Sequence, residues 1–141
     1  MPATGLPTKL RLEIVTPEGL LLREEVDELI APGSDGYFGV RPGHTPFLST
    51  LGMGEITARV GPDWYYLTCF WGFSEVLPDR VNILAEIGER AEAIDTTRAE
   101  RAKVRAEAAM KAVKDEVGYE EARQAYIKAV TRLACARQRR A

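Results

Sequence analysis

Proline and glycine divide this chain into two kinds of structure. Every proline and all but one of the 12 glycines precede residue 89; beyond it only Gly118 remains. Turn-forming residues at that density punctuate short extended segments, whereas their loss leaves nothing to interrupt a helix. The change falls at Ile94-Asp95-Thr96-Thr97-Arg98-Ala99. Asp95 is a good helix N-cap, because its carboxylate can accept from the free N–H groups of a first turn. Arg98 stands where a capping box would need Glu or Gln, so the cap is a single one.

Before the junction, period-2 alternation recurs. Leu10, Leu12 and Ile14 alternate with Arg11, Glu13 and Val15, as in a half-buried strand. Further extended runs are Leu20–Leu22, Val26–Ala31, Phe38–Val40, Phe47–Leu51, Glu55–Val60, Trp64–Phe70, Trp71–Leu77 and Arg80–Ala85. Turns at Pro17-Glu18-Gly19, Pro32-Gly33, Gly52-Met53-Gly54, Gly61-Pro62 and Pro78-Asp79 separate most of them, and Gly72 reads as a bulge or a close-packing site. Short strands at this spacing predict an antiparallel sandwich or flattened barrel. Trp64, Tyr65, Tyr66, Phe70, Trp71 and Phe73 are expected to fill its core. Pro42 and Pro46 keep the loop around His44 extended.

After the junction the period becomes helical. Ala99, Ala102, Ala106, Ala109, Met110, Val113 and Val117 share one stripe, with Gly118 as the residue that ends the helix. A second helix over 119–137 presents Ala122, Ala125, Tyr126, Ala129, Val130, Leu133 and Ala134. The short connection predicts an antiparallel hairpin. Its stripe is mostly alanine, so it buries little area per residue and is only marginally stable alone. The division expected is a β-domain at 1–92 and a helical appendage at 93–141.

Charge follows the same border. Residues 1–92 carry 7 Lys/Arg against 14 Asp/Glu, and residues 93–141 carry 12 against 7. A basic tail on an acidic body calls for an acidic partner for the tail and argues against nucleic acid on the body. Cys69 and Cys135 lack metal-ligand spacing, so no metal site is expected. No signal or transit peptide is visible, and no window approaches a membrane span. The lone His44 has no accompanying nucleophile or carboxylate constellation, so no catalytic residue is assigned.

Four motifs in order resemble the epsilon subunit of bacterial F-type ATP synthase, over nearly the whole chain. They are Gly36-Tyr37-Phe38-Gly39-Val40-Arg41-Pro42-Gly43-His44-Thr45-Pro46-Phe47-Leu48, Gly72-Phe73-Ser74-Glu75-Val76, Val81-Asn82-Ile83-Leu84-Ala85-Glu86, and the Ile-Asp-x-x-Arg-Ala junction. The resemblance implies a ten-stranded sandwich and two C-terminal helices in the rotating central stalk. It implies a non-catalytic subunit that binds the gamma subunit and the polar loops of the c-ring, peripheral on the cytoplasmic face of the bacterial membrane. Tyr37, Arg41 and His44 would lie at that interface, although Tyr37 replaces a residue that is often polar. The helices would rise along gamma into the alpha/beta head and block ATP hydrolysis, while proton-driven rotation serves synthesis.

Some members of that family bind ATP as a regulatory ligand on the folded hairpin, and no cofactor is otherwise required. The resemblance carries this to Ile94, Asp95, Arg98 and Ala99, and by ungapped extension to Glu89, Arg105, Lys128 and Arg132. Arg98 and Arg105 would share a helix face about 10 Å apart. Lys128 stands where arginine is usual and lacks its bidentate fork. Two other readings compete: a free-standing nucleotide-sensing adaptor, and a carbohydrate-binding sandwich with its aromatic residues on an open face.

Overall fold

The computed structural model describes residues 5–138. Seven strands make one sheet: β1 (Leu10–Thr16), β2 (Gly19–Val26), β3 (Glu28–Gly33), β4 (Gly36–Val40), β5 (Phe47–Val60), β6 (Asp63–Val76) and β7 (Arg80–Arg90). Their order is β2-β1-β7-β6-β5-β3-β4. The edge strand β2 also touches β5 in the middle of the sheet, so the sheet closes over its own core as a sandwich. A 3-10 turn (Ala91–Ala93) leads into α1 (Thr96–Ala112) and α2 (Glu116–Gln138).

The ten strands implied by the resemblance are therefore seven, for a physical reason. β5 and β6 are 14 residues each and serve both layers of the sandwich. At the Gly52-Met53-Gly54 break in β5, and between Phe70 and Gly72 in β6, the side chains facing the core change parity. Leu51 faces the core on one side of the break, Ile56 and Ala58 on the other; likewise Leu67 and Cys69 are followed by Val76. The β5–β6 register is unshifted across the break, from Leu51↔Gly72 to Met53↔Phe70. Each long strand thus does the work of two without a turn between them.

Trp71 and Gly72 make that inversion, with φ of 60° and 133°. A Cβ on Gly72 would lie 1.9 Å from the Leu84 carbonyl oxygen. Gly72 is a close-packing site rather than a bulge, since no residue is inserted. Nor is the sheet wholly antiparallel: β1 runs parallel to β7, pairing Leu12 with Val81 and Ile14 with Ile83.

Leu10, Leu12, Ile14, Val26, Leu29, Ile56, Val81 and Ile83 are fully buried in the core. Of the six aromatic residues expected there, Tyr65 packs part-buried against the core, and only Phe70 is fully buried, outside the core cluster. Aliphatic and β-branched residues fill most of the interior, and the parity change turns Phe73 outward beside its cross-strand partner Leu84, which is also exposed. Exposed Trp64 and Phe73 sit near opposite ends of β6, so they do not make one stacking platform.

The helices differ from expectation at their connection. α1 ends at Ala112, with the Val113 N–H bonded to the Ala109 carbonyl at 2.9 Å. Asp115 then starts α2, accepting from the Gly118 N–H at 3.4 Å. Gly118 therefore lies in the first turn of α2 instead of closing α1. A Cβ there would meet Val113 Cγ1 at 2.5 Å, so glycine lets the loop fold tightly. Val117 accordingly belongs to α2 and is exposed. α2 packs on β5, β6 and the 3-10 turn, and α1 packs chiefly on α2. Ala99 and Ala106 on α1, and Ala122, Ala129 and Leu133 on α2, are buried; Ala125 and Val130 are exposed.

Gly72→Ala should lower stability by roughly 3 kcal/mol, adding a backbone clash to a disfavoured left-handed conformation. Chemical denaturation of the purified chain measures it; a loss under about 1 kcal/mol would mean the strand relaxes around the methyl group.

Candidate functional site

At the junction, the Asp95 carboxylate accepts from the Arg98 N–H at 3.0 Å, as its N-cap position requires. This aims the first turn of α1 at the end of β7. A cleft of about 340 Å³ lies there, lined by Glu89, Ala93, Asp95, Arg98, Ala99, Ala102, Arg105 and Arg132. Six sequence-predicted residues meet in it: Glu89 from β7, Asp95, Arg98, Ala99 and Arg105 from the start and face of α1, and Arg132 from α2. Ile94 and Lys128 do not line it. Ala93 and Ala102, which do, had no charge or motif to mark them.

Inside the cleft Arg132 pairs with Glu89 at 2.5 Å, and its guanidinium lies 5.0 Å from the Phe70 ring centroid. Arg98 and Arg105 have no ion-pair partner among the described residues. The cleft thus offers two free guanidinium groups, a third held by a carboxylate, and a wall of small alanines. Such groups suit bidentate recognition of phosphate or carboxylate oxygens, and the two carboxylates suit hydroxyl or amine donors.

Lys128 lies elsewhere. Its Nζ sits 4.7 Å from the centroid of Trp71. Lys128 therefore does not join Arg98, Arg105 and Arg132 in the cleft, because one helical turn along α2 moves it off the cleft and over the bend in β6.

Beneath α2 lies a pair that sequence reasoning missed. The fully buried Cys135 faces Glu55 of β5, whose Oε1 is buried without a hydrogen-bond partner among the described residues. Burial raises the Glu55 carboxyl above its ordinary 4.5, opposed in part by the neighbouring Cys135 thiol. The thiol is pushed up to about 12, chiefly by burial and then by the charge of Glu55. Nothing local marked this pair, since the two residues are 80 positions apart in the chain.

Tyr37, Arg41 and His44 stand apart from the cleft. Tyr37 is 61% exposed, and its Oη accepts from the Glu55 N–H at 3.1 Å. The ring lies across Gly54, where a Cβ would be 2.3 Å from Oη. His44 Nδ1 is 2.6 Å from the Thr45 carbonyl oxygen and therefore carries the proton. Its ring is 6.2 Å from that of Phe47, which packs edge-on to Phe38 at 5.3 Å. Arg41 turns to Glu28 at 3.3 Å, in a network with Arg59, Asp27 and Lys9. Exposed Phe47 and Leu48 extend the apolar surface beside His44.

A β-sandwich followed by a helical unit is the arrangement of the delta and epsilon chains of ATP synthase. The family description "ATP synthase, Delta/Epsilon chain, beta-sandwich domain" matches residues 9–91, and "ATP synthase, Delta/Epsilon chain, long alpha-helix domain" matches 92–137. "ATP synthase epsilon chain 2" of Syntrophotalea carbinolica is 54% identical over 103 residues, covering 73% of this chain and 75% of that one. The "ATP synthase epsilon chain" of Syntrophobacter fumaroxidans is 46% identical over 125 residues, 89% and 93% of the two chains. A chain of the Euglena gracilis mitochondrial ATP synthase matches the fold with a TM-score of 0.81 at 20% identity, over 92% of this chain and 82% of that one. The chain belongs to the ATP synthase delta/epsilon family, as a bacterial epsilon-type member. It is a non-catalytic subunit of that complex, and no described helix is long and apolar enough to cross a membrane.

The buried Glu55 carboxyl makes stability depend on pH. A raised pKa means that the fold prefers the neutral acid, so this stabilisation is complete below about 4.5 and is lost as pH rises through the shifted value. Glu55→Gln should therefore melt higher than wild type at pH 7 and close to it at pH 4.5. A variant that melts lower at pH 7 would contradict burial as the dominant cause.

Proposed function

We propose that this chain works as an epsilon subunit whose sandwich couples the rotor and whose helices regulate it. The sandwich grips the gamma subunit, with the exposed pair Phe73 and Leu84 as the apolar part of its grip. The end carrying Tyr37, His44, Phe47 and Leu48 rests on the c-ring loops at the cytoplasmic face of the membrane. Arg41, paired with Glu28, shapes that end more than it contacts a partner. α1 and α2 act as an antiparallel hairpin that is docked here and extends toward the alpha/beta head to block ATP hydrolysis. Its basic character fits acidic segments there.

One observation carries the regulatory reading: the cleft exists only while the hairpin is docked, because β7, α1 and α2 all contribute to it. A ligand in the cleft therefore binds the docked form alone and shifts the equilibrium by that difference in affinity. The chemistry fits ATP, with Arg98, Arg105 and Arg132 on the phosphates and Glu89 and Asp95 on the hydroxyl or amino groups. The competing reading, a free-standing nucleotide sensor, uses the same cleft but gives the exposed Phe73–Leu84 pair nothing to hold.

Removing residues from Asp95 onward should raise ATP hydrolysis by the assembled enzyme while leaving assembly intact. Unchanged hydrolysis would remove the inhibitory role, and copurification with gamma separates the rotor from the free sensor. Isothermal titration of ATP into the isolated chain should give saturable heat, and Arg98→Ala should weaken binding about tenfold or more. No saturable heat at millimolar ATP would dispose of the nucleotide part.

A further inference from the structure

We propose that Lys128 and Trp71 form a clasp that sets how readily the hairpin leaves the sandwich. Lys128 then acts on helix position, not on whatever occupies the cleft. This rests on the reading above that the hairpin moves.

Three observations point the same way. Lys128 Nζ is centred 4.7 Å from the indole, has no ion-pair partner among the described residues, and is absent from the cleft lining. Both side chains are half-buried, which strengthens a cation–π contact by stripping water from it. Trp71 is also the one described non-glycine residue with positive φ. A bulky residue held in that conformation is unusual and is kept only where its surroundings require it. Here the requirement is the strand inversion, which sets Trp71 and Phe70 side by side beneath α2. Lys128 takes the first ring and Arg132, one turn on, takes the second at 5.0 Å.

The two cations differ in what they can release. Arg132 shares the cleft with Glu89, so a ligand there competes for it or reinforces it. Lys128 meets only the sandwich, so its contact is lost when α2 lifts and is indifferent to cleft occupancy while α2 stays down. Removing it changes the apparent affinity of a cleft ligand only through the docked fraction.

The test uses the full chain and its two buried thiols. Cys135 is buried on the face of docked α2 turned toward the sandwich, and Cys69 lies in the sandwich core. Alkylation by N-ethylmaleimide, resolved by peptide mass, reads hairpin opening at Cys135 and unfolding of the sandwich at Cys69. Lys128→Met keeps an apolar stem and drops the charge. It should label at Cys135 roughly two- to thirtyfold faster than wild type, with Cys69 unchanged. Lys128→Arg should stay within about twofold of wild type, because guanidinium also stacks on indole. In a Trp71→Phe background, Lys128→Met should add less than it does alone.

Equal Cys135 rates in wild type and Lys128→Met would overturn the clasp, as would Lys128→Arg labelling as fast as Lys128→Met. A loss of ATP affinity in Lys128→Met that exceeds the labelling factor would also overturn it, by making the lysine a ligand. If Cys135 in wild type labels only as fast as Cys69, the hairpin does not open separately. The movable-hairpin reading then fails first, and the clasp with it.

Discussion

The approach of Gly72 to the Leu84 carbonyl is the contact on which the architecture depends. A sheet of long strands must put alternate residues on fixed faces, so one strand can serve a single core face only. The left-handed pair Trp71–Gly72 escapes this by exchanging the faces midway, and the glycines at 52 and 54 do the same for β5. The outer half of β6 then feeds the core with Val76, while the inner half feeds it with Leu67 and Cys69 and turns Phe70 toward α2. The seat for the helices is a by-product of closing the sandwich.

That seat is energetically thin, and the residues on it explain why. α2 brings Ala129, Leu133, Cys135 and Ala136 to the buried side, of which only Leu133 is large. Burial of apolar area gives about 25 cal/mol per Å², so an alanine-rich face contributes little. The remaining contacts are polar or ionic: Arg132 with Glu89, Lys128 with Trp71, and Cys135 with a carboxyl that burial disfavours in its charged form. Half-exposed ion pairs contribute modestly, because the desolvation of their charges offsets much of the attraction. An interface made this way suits the proposed movement of the helices, since small changes in ligand or charge would then decide the balance.

Much of this was legible in the residues. The alternation of Leu10, Leu12 and Ile14 marked a strand whose three apolar side chains are all fully buried. The Asp95 cap is where its chemistry puts it, and six of eight residues drawn from one motif and its extension meet in one cleft. What was not legible is long-range. A parity change inside a continuous strand looks like a strand boundary, which is why β5 read as two segments and Phe73 as a core residue. Gly118 resembles a helix stop because only the partner contact with Val113 shows what its missing side chain makes room for. Lys128 shares a face with Arg132 at helical spacing, yet spacing does not say how far along the sandwich that face has travelled.

The charge border gains a meaning from this geometry. The acidic body places Glu89 under the basic helices, and Arg132 already answers it, leaving Arg98 and Arg105 without a carboxylate. Docking therefore neutralises only part of the tail. Under the proposed movement of the helices, the uncompensated guanidinium groups would leave two ways to complete the charge balance: an anion drawn into the cleft, which would favour the docked state, or an acidic surface elsewhere, which would favour departure. These would exclude one another, because β7, α1 and α2 all line the cleft and it would be lost if α2 left β5 and β6. On that proposal, competition between two anionic partners for the same arginines would be enough to make a switch, and the alanine-lined helices would need to supply only a small free-energy difference.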